Sequence, residues 1–500
     1  RTRLHDAWCI SVRFAGLSRM RESFLWFDLE TFGRDPRRSR IAQFAAIRTD
    51  TQLRPIGDAV VRYCQPARDL LPSPEATLIT GITPQFAQRE GLCERDFCAE
   101  MYDLLSEPGT CAVGYNSLRF DDEFIRHTLF RNFYDPYQRE WQQGNSRWDL
   151  LDLARLLYAL RPQGLTWPRR DDGLPSFKLE HLAAANGITH TRAHDALSDV
   201  EALIALAGRM RDAQPRMFDY FLGFRRKARA QSLLNVAEHT PVLHVSGQFS
   251  AANGCAAIVA PLCAHPDIAN RVIVLDLAAD PSLFVEMSAE DIRDRLYTPL
   301  ADLPAGESRV PLKEIHLNRC PALVELRHLT DEELLRLGLD RQRAITHWQS
   351  LRQMSDLIDR VRDVFQRAQQ RHSSARDADQ SIYDGFVGDA DKQQSATIRR
   401  LGEESLASYM PQFQDARLQA LWPRYVARNR PDSLSASDHA AWNEYRRQRL
   451  LSDCGLSEYT FESYFQSIAQ WRLQHANSPP SQGLLDALED WGRDVLREID

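Results

Sequence analysis

Two acidic residues on one face of a predicted strand are the first feature of the sequence that indicates chemistry. Asp28 and Glu30 follow the apolar run FLWF at 24–27. Side chains at positions i and i+2 of a strand point to the same face, so these carboxyl groups converge at the strand's end. Convergent carboxylates repel each other unless a cation lies between them, and Mg²⁺ prefers oxygen ligands. The pair predicts a metal site, although an isolated D-x-E is more often two exposed surface acids.

A second acidic motif lies in the middle of the same segment. GYNSLRFDDEF at 114–124 contains a possible turn at Asn116, followed by a predicted helix whose first turn holds Asp121 and Asp122. Acidic residues in a first helical turn also simply complement the helix dipole. This motif is therefore ambiguous on its own. Either Asp121 or Asp122 could be the ligand.

A third motif combines a histidine with an aspartate. AHDALSDV at 193–200 predicts a helix capped by Asp195, with His194 on the preceding loop and Asp199 one turn inside the helix. The two side chains can then face one point. A histidine by itself is more often a surface or core residue, so the prediction rests on the order of all three motifs within one segment.

The elements that must position these residues are those of an α/β domain. Predicted strands are FLWF, IAQFAAIRTD and VVRYCQP, and predicted helices cover 121–131, 149–159, 179–186 and 196–210. A Pro- and Gly-rich loop is predicted at 161–176. In α/β folds, functional sites lie at the carboxyl ends of strands, which is where Asp28 and Glu30 fall.

The remainder of the chain has a different texture. Short β-rich runs typical of a small barrel extend from about 218 to 327, and helical periodicity covers 331–366. The polar stretch 369–381 is the best linker candidate, and 382–500 is charged, strand-poor and helical. These boundaries predict a disordered or spurious extension at 1–21, an α/β domain at 22–212, a β-barrel domain with flanking helices at 215–366 and a helical domain at 371–500.

Bulk composition excludes several classes of protein. The chain has 500 residues, 43% of them hydrophobic, and a formal net charge of -7, so any nucleic-acid site must be a local basic groove or use metal ions. The nine cysteines show no C-x-x-C spacing, which argues against a zinc site. No apolar run is long enough to span a bilayer, so we expect no membrane association.

The motifs together resemble a known family. The ordered set D-x-E, N-x-x-x-F-D and H-x-x-x-x-D is similar to the DEDDh family of 3′–5′ exonucleases. The longer runs WFDLETFG, GYNSLRFDDEFIRHTLFRNFYDPY, DDGLPSFKLEHLAAANGI and AHDALSDV resemble bacterial exonuclease I (exodeoxyribonuclease I). The resemblance covers essentially the chain from Met20 on. It implies an α/β, RNase H-like exonuclease domain with a mixed sheet, an SH3-like β-barrel domain and a C-terminal α-helical domain.

The resemblance also implies catalytic roles. Carried over by position, the family's metal-site carboxylates fall on Asp28, Glu30, Asp121 and Asp199, and its general base falls on His194. It implies two Mg²⁺ ions in the active site, with Mn²⁺ able to substitute. Two metals suit phosphodiester hydrolysis, and a histidine with a pKa of roughly 6.5 suits proton removal from water at neutral pH.

Single-stranded DNA is the substrate that the resemblance implies, degraded 3′→5′ to 5′-mononucleotides in DNA repair and recombination. Cations interleave with aromatic residues between 119 and 148, a mixture that holds single strands by phosphate neutralisation and base stacking. The predicted substrate-binding residues are Glu30, Lys178, Arg126, Tyr137 and Trp141. Lys178 stands where the family carries Arg, so it keeps the charge but loses the bidentate fork.

A protein partner is also implied by the resemblance, namely the acidic C-terminal tail of single-stranded DNA-binding protein. Arg161 and Tyr220 match positions of the family's pocket, and an Arg beside an aromatic ring suits a peptide that ends in a carboxylate. We further expect a monomer in the bacterial cytoplasm, associated with the nucleoid.

Three alternative functions remain to be weighed. A DEDDh exoribonuclease that trims RNA 3′ ends is typically one compact domain, whereas this chain continues for roughly 290 residues after Met210. A catalytically inactive single-strand DNA-binding protein is expected to have lost at least one of the five residues, and none is lost. A polymerase proofreading domain predicts polymerase motifs after Asp212, which the sequence does not show.

Overall fold

The computed structural model describes residues 22–190, 195–304, 306, 309–369, 377–406 and 408–500. The extension predicted at 1–21 and the predicted base His194 lie outside the described residues. Much of the predicted linker at 369–381 lies outside them as well.

The first sheet contains five strands in the order β3-β2-β1-β4-β5. Its strands are β1 Ser23–Thr31, β2 Ile41–Thr49, β3 Val60–Tyr63, β4 Thr110–Gly114 and β5 Ser146–Asp149. The central strand β1 pairs antiparallel with β2 and parallel with β4, which makes the sheet mixed. Apolar residues of β1 are buried on both faces because helices pack on each side of the sheet.

Seven α-helices lie in the described residues of this part of the chain. They are α1 Pro74–Thr80, α2 Pro84–Glu90, α3 Glu94–Ser106, α4 Asp121–Arg131, α5 Leu150–Leu160, α6 Leu179–Ala185 and α7 Ala196–Ala213. The predictions for α4 to α7 agree with these bounds to within about three residues at each end. The sequence patterns missed α1 to α3, β4 and β5.

The second sheet is entirely antiparallel, in the order β10-β6-β7-β8-β9. Its strands are β6 Val242–Val245, β7 Ala256–Ala264, β8 Arg271–Asp276, β9 Leu312–His316 and β10 Ala322–Glu325. The surrounding helices are α8 Pro215–Leu222, α9 Lys227–Leu233, α10 Ala289–Tyr297, α11 Asp331–Arg336, α12 Arg341–Leu351 and α13 Leu357–Gln369. Four of these strands fall in the predicted β-rich runs, and β10 was not predicted.

The described residues of the C-terminal part form helices joined by turns and loops, with no strand among them. Its helices are α14 Asp389–Arg400, α15 Glu403–Leu406, α16 Ala416–Asn429, α17 Ala436–Leu451, α18 Phe461–Gln474 and α19 Pro479–Ile499. This arrangement confirms the predicted helical character of the segment. None of the described helices is both long and apolar enough to cross a membrane.

Apolar contacts join the three parts of the chain. The core of the first sheet continues into that of the second through residues such as Trp148 and Phe218. Phe133, which follows α4, stacks on Phe413 and contacts Trp422 of the helical part. The part with the second sheet and the C-terminal helical part, together called the accessory parts, therefore pack directly against the α/β domain, which bears the candidate site.

Candidate active site

Asp28 and Glu30 lie near the end of β1, as predicted from their spacing. In β2, Ala45 lies opposite Asp28 and Gln43 lies opposite Glu30, just before an irregularity in the pairing. Asp28 is half-buried and Glu30 is buried. Together with Asp199 they offer one oxygen atom each, and these atoms all lie within 4.8 Å of one another. The site is therefore a compact carboxylate cluster.

Asp199 reaches this cluster from α7. Asp195 caps that helix by accepting a hydrogen bond from the backbone N–H of Leu197 at 3.2 Å, which confirms the predicted cap. Asp199 follows one turn later and pairs with His190 Nε2. Because α7 packs on β1 and β2, Asp199 of the helix lies beside Asp28 and Glu30 of the strand, although the two segments are far apart in the sequence.

Asp121 begins α4 and lies against the same strand. The backbone N–H of Leu29, between Asp28 and Glu30, hydrogen-bonds to the Asp121 carboxylate. Asp122 turns away and accepts hydrogen bonds from Arg139 and from Arg147 Nη1, the latter at 2.6 Å. The two neighbouring aspartates thus have different partners, and Asp121 is the one beside Asp28.

A polar loop holds the start of α4 in place. Asp149, fully buried at the end of β5, accepts hydrogen bonds from the backbone N–H groups of Asn116 (2.8 Å) and Leu118 (3.3 Å). Asn116 takes a left-handed conformation with φ of 63°, so it forms the bend before the helix and not its cap. A Cβ on Gly114 would lie 2.5 Å from that of Ser117, which requires glycine there. Sequence patterns did not reveal the role of Asp149, because it requires the pairing of β4 with β5.

Burial and mutual repulsion shift the titration of the cluster. Burial, with the charges of Asp199 and Asp121, raises the pKa of Glu30 to about 8. Burial, with the charge of Asp122, raises the pKa of Asp121 to about 8. The pKa of Asp28 is raised well above its ordinary range by burial and by Asp121, Glu30 and Asp199. At neutral pH such carboxyls hold protons unless a cation compensates their charge.

These residues fit a divalent cation. Hard cations bind oxygen ligands, and a cation offsets the repulsion that raises the pKa of each group. The donor set consists of carboxylates, which suits Mg²⁺ or Mn²⁺ better than softer metals. The cluster of Asp28, Glu30 and Asp199 therefore has the chemistry of a divalent metal site.

His190 is a site residue that the sequence analysis overlooked. Its imidazole is 7% exposed and its Nε2 contacts Asp199. The sequence THTRAHD at 189–195 contains two histidines four residues apart, and only the second was singled out. Imidazole groups that contact a metal-site carboxylate commonly orient it. The structure therefore adds His190 to the candidate site, as the partner of the Asp199 carboxylate.

The predicted DNA-binding residues differ widely in exposure. Lys178 has 69% of its side chain exposed and lies 3.6 Å from Glu180, and Trp141 is 63% exposed. Tyr137 is half-buried, with the Arg126 guanidinium 5.4 Å from its ring centroid. Arg126 itself is buried and pairs with Glu140 and Glu123. Of these four residues, only Lys178 and Trp141 have most of their surface exposed to solvent and therefore accessible to a bound strand.

Arg161 and Tyr220, predicted to bind a partner, already have contacts within the chain. Arg161 pairs with Glu333 of α11. The Tyr220 hydroxyl donates a 2.8 Å hydrogen bond to the carbonyl of Leu323 in β10, and Arg229 lies 5.3 Å from its ring centroid. Both side chains thus lie against the second part of the chain.

Comparison with known proteins agrees with this architecture. Residues 25–207 match the family model described as Exonuclease, 225–367 match the Exonuclease I SH3-like domain, and 376–495 match the Exonuclease I C-terminal domain. These matches confirm the predicted fold class of an exonuclease domain followed by SH3-like and helical parts.

Curated relatives and solved structures extend the match over nearly the whole chain. Exodeoxyribonuclease I of Escherichia coli (strain K12) is 41% identical over 478 residues, covering 96% of this chain and 99% of the relative. The Haemophilus influenzae exodeoxyribonuclease I is 40% identical, with coverage of 95% and 99%.

Among solved structures, an exonuclease I from Methylocaldum szegediense superposes with a TM-score of 0.91 at 44% identity, covering 95% of this chain and 100% of the other. E. coli exonuclease I in complex with a dA16 oligonucleotide gives a TM-score of 0.90 at 42% identity, with the same coverage. The chain belongs to the exodeoxyribonuclease I family.

Proposed function

We propose that this chain is an exonuclease that degrades single-stranded DNA from its 3′ end to 5′-mononucleotides by metal-dependent hydrolysis. The observation that carries the proposal is the compact carboxylate cluster of Asp28, Glu30 and Asp199, with Asp121 beside it, in a chain of the exodeoxyribonuclease I family. E. coli exonuclease I, a relative of similar length, has been crystallised with dA16 and dT13 oligonucleotides. This supports single-stranded DNA as the substrate.

The four carboxylates are proposed to hold two divalent cations, Mg²⁺ in the cell with Mn²⁺ able to substitute. When bound, such cations polarise the phosphodiester and lower the pKa of the attacking water. Asp28 lies near the end of β1, where the charges of Asp121, Glu30 and Asp199 all act on it, so it would hold cations together with these residues. The protein would contribute fixed carboxylates that hold the cations next to the substrate phosphate.

His194 is proposed as the general base that removes a proton from the attacking water. It precedes the α7 cap Asp195 by one residue in the sequence. Imidazole has an unperturbed pKa of roughly 6.5, which suits a general base at neutral pH. His190 is proposed to orient the Asp199 carboxylate through its Nε2 contact.

The strand is proposed to approach the cluster past Lys178 and Trp141. The Lys178 ammonium group is exposed and free to swing toward a phosphate from its 3.6 Å contact with Glu180. The Trp141 ring is exposed enough to stack on a base. Tyr137 lies four residues before Trp141, and Arg126 holds its ring in place, so the Arg126 charge is proposed to act at short range on the same stretch of strand.

A test uses single-stranded DNA labelled at either end, with and without EDTA. We expect Mg²⁺-dependent release of mononucleotides, early loss of a 3′ label and late loss of a 5′ label. Asp28→Ala removes the central carboxylate and is expected to abolish turnover, whereas Glu201→Ala changes an exposed acid on α7 and serves as the matched control. Full activity of Asp28→Ala, or faster degradation of a matched RNA strand, contradicts the proposal.

We also propose that the acidic tail of a single-stranded DNA-binding protein docks at Arg161 and Tyr220. The Arg161 guanidinium, now paired with Glu333, offers a bidentate partner for a terminal carboxylate, and the Tyr220 ring offers an apolar wall. Fluorescence polarisation of a labelled acidic peptide with a free or an amidated C-terminus tests this. Equal binding of both peptides, or unchanged binding by Arg161→Ala, argues against the site. A monomeric state and a cytoplasmic, nucleoid-associated location stay predictions.

A further inference from the structure

One carboxylate in the first turn of α4 is contacted from three separate parts of the chain. Glu123 Oε1 accepts a 2.9 Å hydrogen bond from Arg126 Nη1 on the same helix. The same oxygen accepts a 2.9 Å hydrogen bond from Arg319 Nη2, on the turn between β9 and β10. Its other oxygen, Oε2, accepts a hydrogen bond from the hydroxyl of Tyr383, which precedes α14. Glu123 thus joins the exonuclease, SH3-like and helical parts at one point.

The charged groups of this junction are largely shielded from water, whereas Tyr383 is 53% exposed. The Glu123 side chain is 15% exposed, that of Arg126 is 5% exposed and that of Arg319 is 29% exposed. Ion pairs and hydrogen bonds in such surroundings are screened less than surface pairs, and removing one partner leaves the others uncompensated. Arg126 Nη1 also lies 3.4 Å from the Tyr383 hydroxyl, so the four groups form one connected network.

The junction lies close to the reaction centre but does not point into it. Glu123 is two residues after Asp121 on α4. Residues two apart on a helix project about 200° from each other, because each residue turns the helix by about 100°. Asp121 faces Asp28, and Glu123 faces the accessory parts. A change at Glu123 is therefore separable from the chemistry of the carboxylate cluster.

Resting on the proposed function, we infer that Glu123 is a positioning residue that ties the SH3-like and helical parts to the exonuclease domain and thereby slows release of the DNA strand between successive cleavages. Arg319 and Tyr383 come from the two parts of the chain that flank the exonuclease domain, and both end on this single carboxylate. Loss of the carboxylate charge weakens these two polar contacts to the helix that bears Asp121, while the apolar contacts between the parts remain. The strand then dissociates sooner, while the cluster that cleaves it stays intact.

The test measures processivity and turnover separately. Enzyme is bound to long 5′-labelled single-stranded DNA in EDTA, and the reaction is started with excess Mg²⁺ and an unlabelled DNA trap. Weaker contacts between the parts are expected to act mainly on the rate at which the DNA strand dissociates from the enzyme. Glu123→Gln is therefore expected to shorten the length of DNA degraded per binding event by about threefold to tenfold. The control substrate is a tetranucleotide, whose release does not depend on the accessory parts. Its multiple-turnover rate of hydrolysis is expected to stay within about twofold of that of the parent enzyme.

The chain offers a matched control and a milder variant. Glu140 also pairs with Arg126, and with Arg147, but both of these partners lie in the exonuclease domain. Glu140→Gln therefore disturbs the same arginine through a side chain whose own partners are in the exonuclease domain, while the 3.1 Å bond from Arg147 Nη2 to the Asn318 carbonyl stays available, and we expect its processivity to match that of the parent enzyme. Tyr383→Phe removes only the hydroxyl that Glu123 accepts, and we expect a smaller loss of processivity with unchanged thermal unfolding.

Two results overturn the inference. One is that Glu123→Gln and Glu140→Gln show the same processivity, because the cross-domain contacts then have no role in holding the strand. The other is that tetranucleotide turnover falls in parallel with processivity in Glu123→Gln and Tyr383→Phe. A parallel fall places the effect on the cleavage step or on the fold and not on retention of the strand.

Discussion

Asp121 and Asp122 are neighbours at the start of one helix, but their carboxyl groups lie in opposite electrostatic environments. Both are buried. Burial and the Asp122 charge raise the pKa of Asp121 to about 8. Burial also acts to raise the pKa of Asp122, but the charges of Arg147 and Arg139 outweigh it and hold that pKa far below its ordinary value. Asp121 is therefore available to a metal cation, whereas Asp122 is already paired with the guanidinium groups of Arg139 and Arg147.

The first prediction separates the roles of these two aspartates. Asp121→Asn relieves repulsion in the cluster, so the free energy of unfolding without metal is expected to stay equal or to rise by about 1 kcal/mol. Turnover is expected to fall about tenfold to a hundredfold, as for a residue that supports bound metal. Chemical denaturation in EDTA and single-strand hydrolysis in Mg²⁺ measure the two effects.

Asp122→Asn is the matched change at the next position and is expected to do the reverse. It leaves Arg139 and Arg147 buried without their shared carboxylate, which costs about 3–5 kcal/mol of stability. The variant that still folds at low temperature should retain the parent's Mg²⁺ affinity. If Asp122→Asn lost metal binding while its stability was unchanged, Asp122 and not Asp121 would be the ligand.

The second prediction concerns metal binding and pH. The folded pKa values of Glu30 and Asp121 are both about 8, above the ordinary values of 4.5 and 3.8. Raised carboxyl pKa values mean that the metal-free site is most stable when protonated and loses stability as pH rises from about 4 to about 8. Protons compete with Mg²⁺ over this range, so apparent Mg²⁺ affinity should fall about tenfold per pH unit below about 8 for each proton displaced, or about a hundredfold when both carboxyls must lose one.

Thermal unfolding in EDTA and in Mg²⁺ at a series of pH values measures this linkage. The stabilisation by Mg²⁺ is expected to be small near about pH 6 and large near about pH 8.5. Asp28→Ala removes one ligand and much of the repulsion, and should flatten the dependence. A stabilisation by Mg²⁺ that does not vary with pH is incompatible with a cluster whose carboxyls are protonated in the absence of metal.

The local part of this site could be read from the sequence, because the signals are local. The i, i+2 spacing of Asp28 and Glu30 places them on one strand face, and the Asp195 cap fixes the start of α7. The helix predicted at 121–131 has those bounds in the structure because apolar spacing and an acidic first turn are both contained in the segment. The strands β4 and β5 escaped prediction because each is short and depends on pairing across the sheet.

The environment of the predicted DNA-binding residues could not be read in the same way. The sequence suggests a free cation at Arg126 with only Glu123 close by, but two further partners, Glu140 and Tyr383, are 14 and 257 residues away. The His190 contact with Asp199 depends on how the loop before α7 returns to the helix, a tertiary feature with no local signature. Burial and pairing of charged residues are decided by such distant contacts, and these lie beyond pattern analysis.

The third prediction distinguishes two histidines four residues apart. His194→Ala removes the proposed base and should lower turnover by about a hundredfold to ten-thousandfold while Mg²⁺ affinity is retained. His190→Ala removes the imidazole that contacts Asp199 and should weaken Mg²⁺ affinity about tenfold. Mg²⁺ titrations followed by thermal unfolding, beside turnover at saturating Mg²⁺, separate these effects. The assignment is reversed if His190→Ala lowers turnover more than His194→Ala at saturating Mg²⁺.

The fourth prediction concerns the charge at position 178. Because Lys178 has 69% of its side chain exposed, its substitution should leave the fold intact. If it contacts one phosphate, Lys178→Ala lowers the slope of log affinity against log salt concentration by about 0.7, the value for one charge on a single strand. Lys178→Arg restores the slope and raises affinity above the parent, because a guanidinium binds phosphate through two parallel hydrogen bonds. Binding titrations with a labelled single strand at several salt concentrations, in EDTA to prevent cleavage, measure both quantities. An unchanged slope in Lys178→Ala means that the ammonium group does not neutralise a phosphate, and the path of the strand must then run along another side of the cluster.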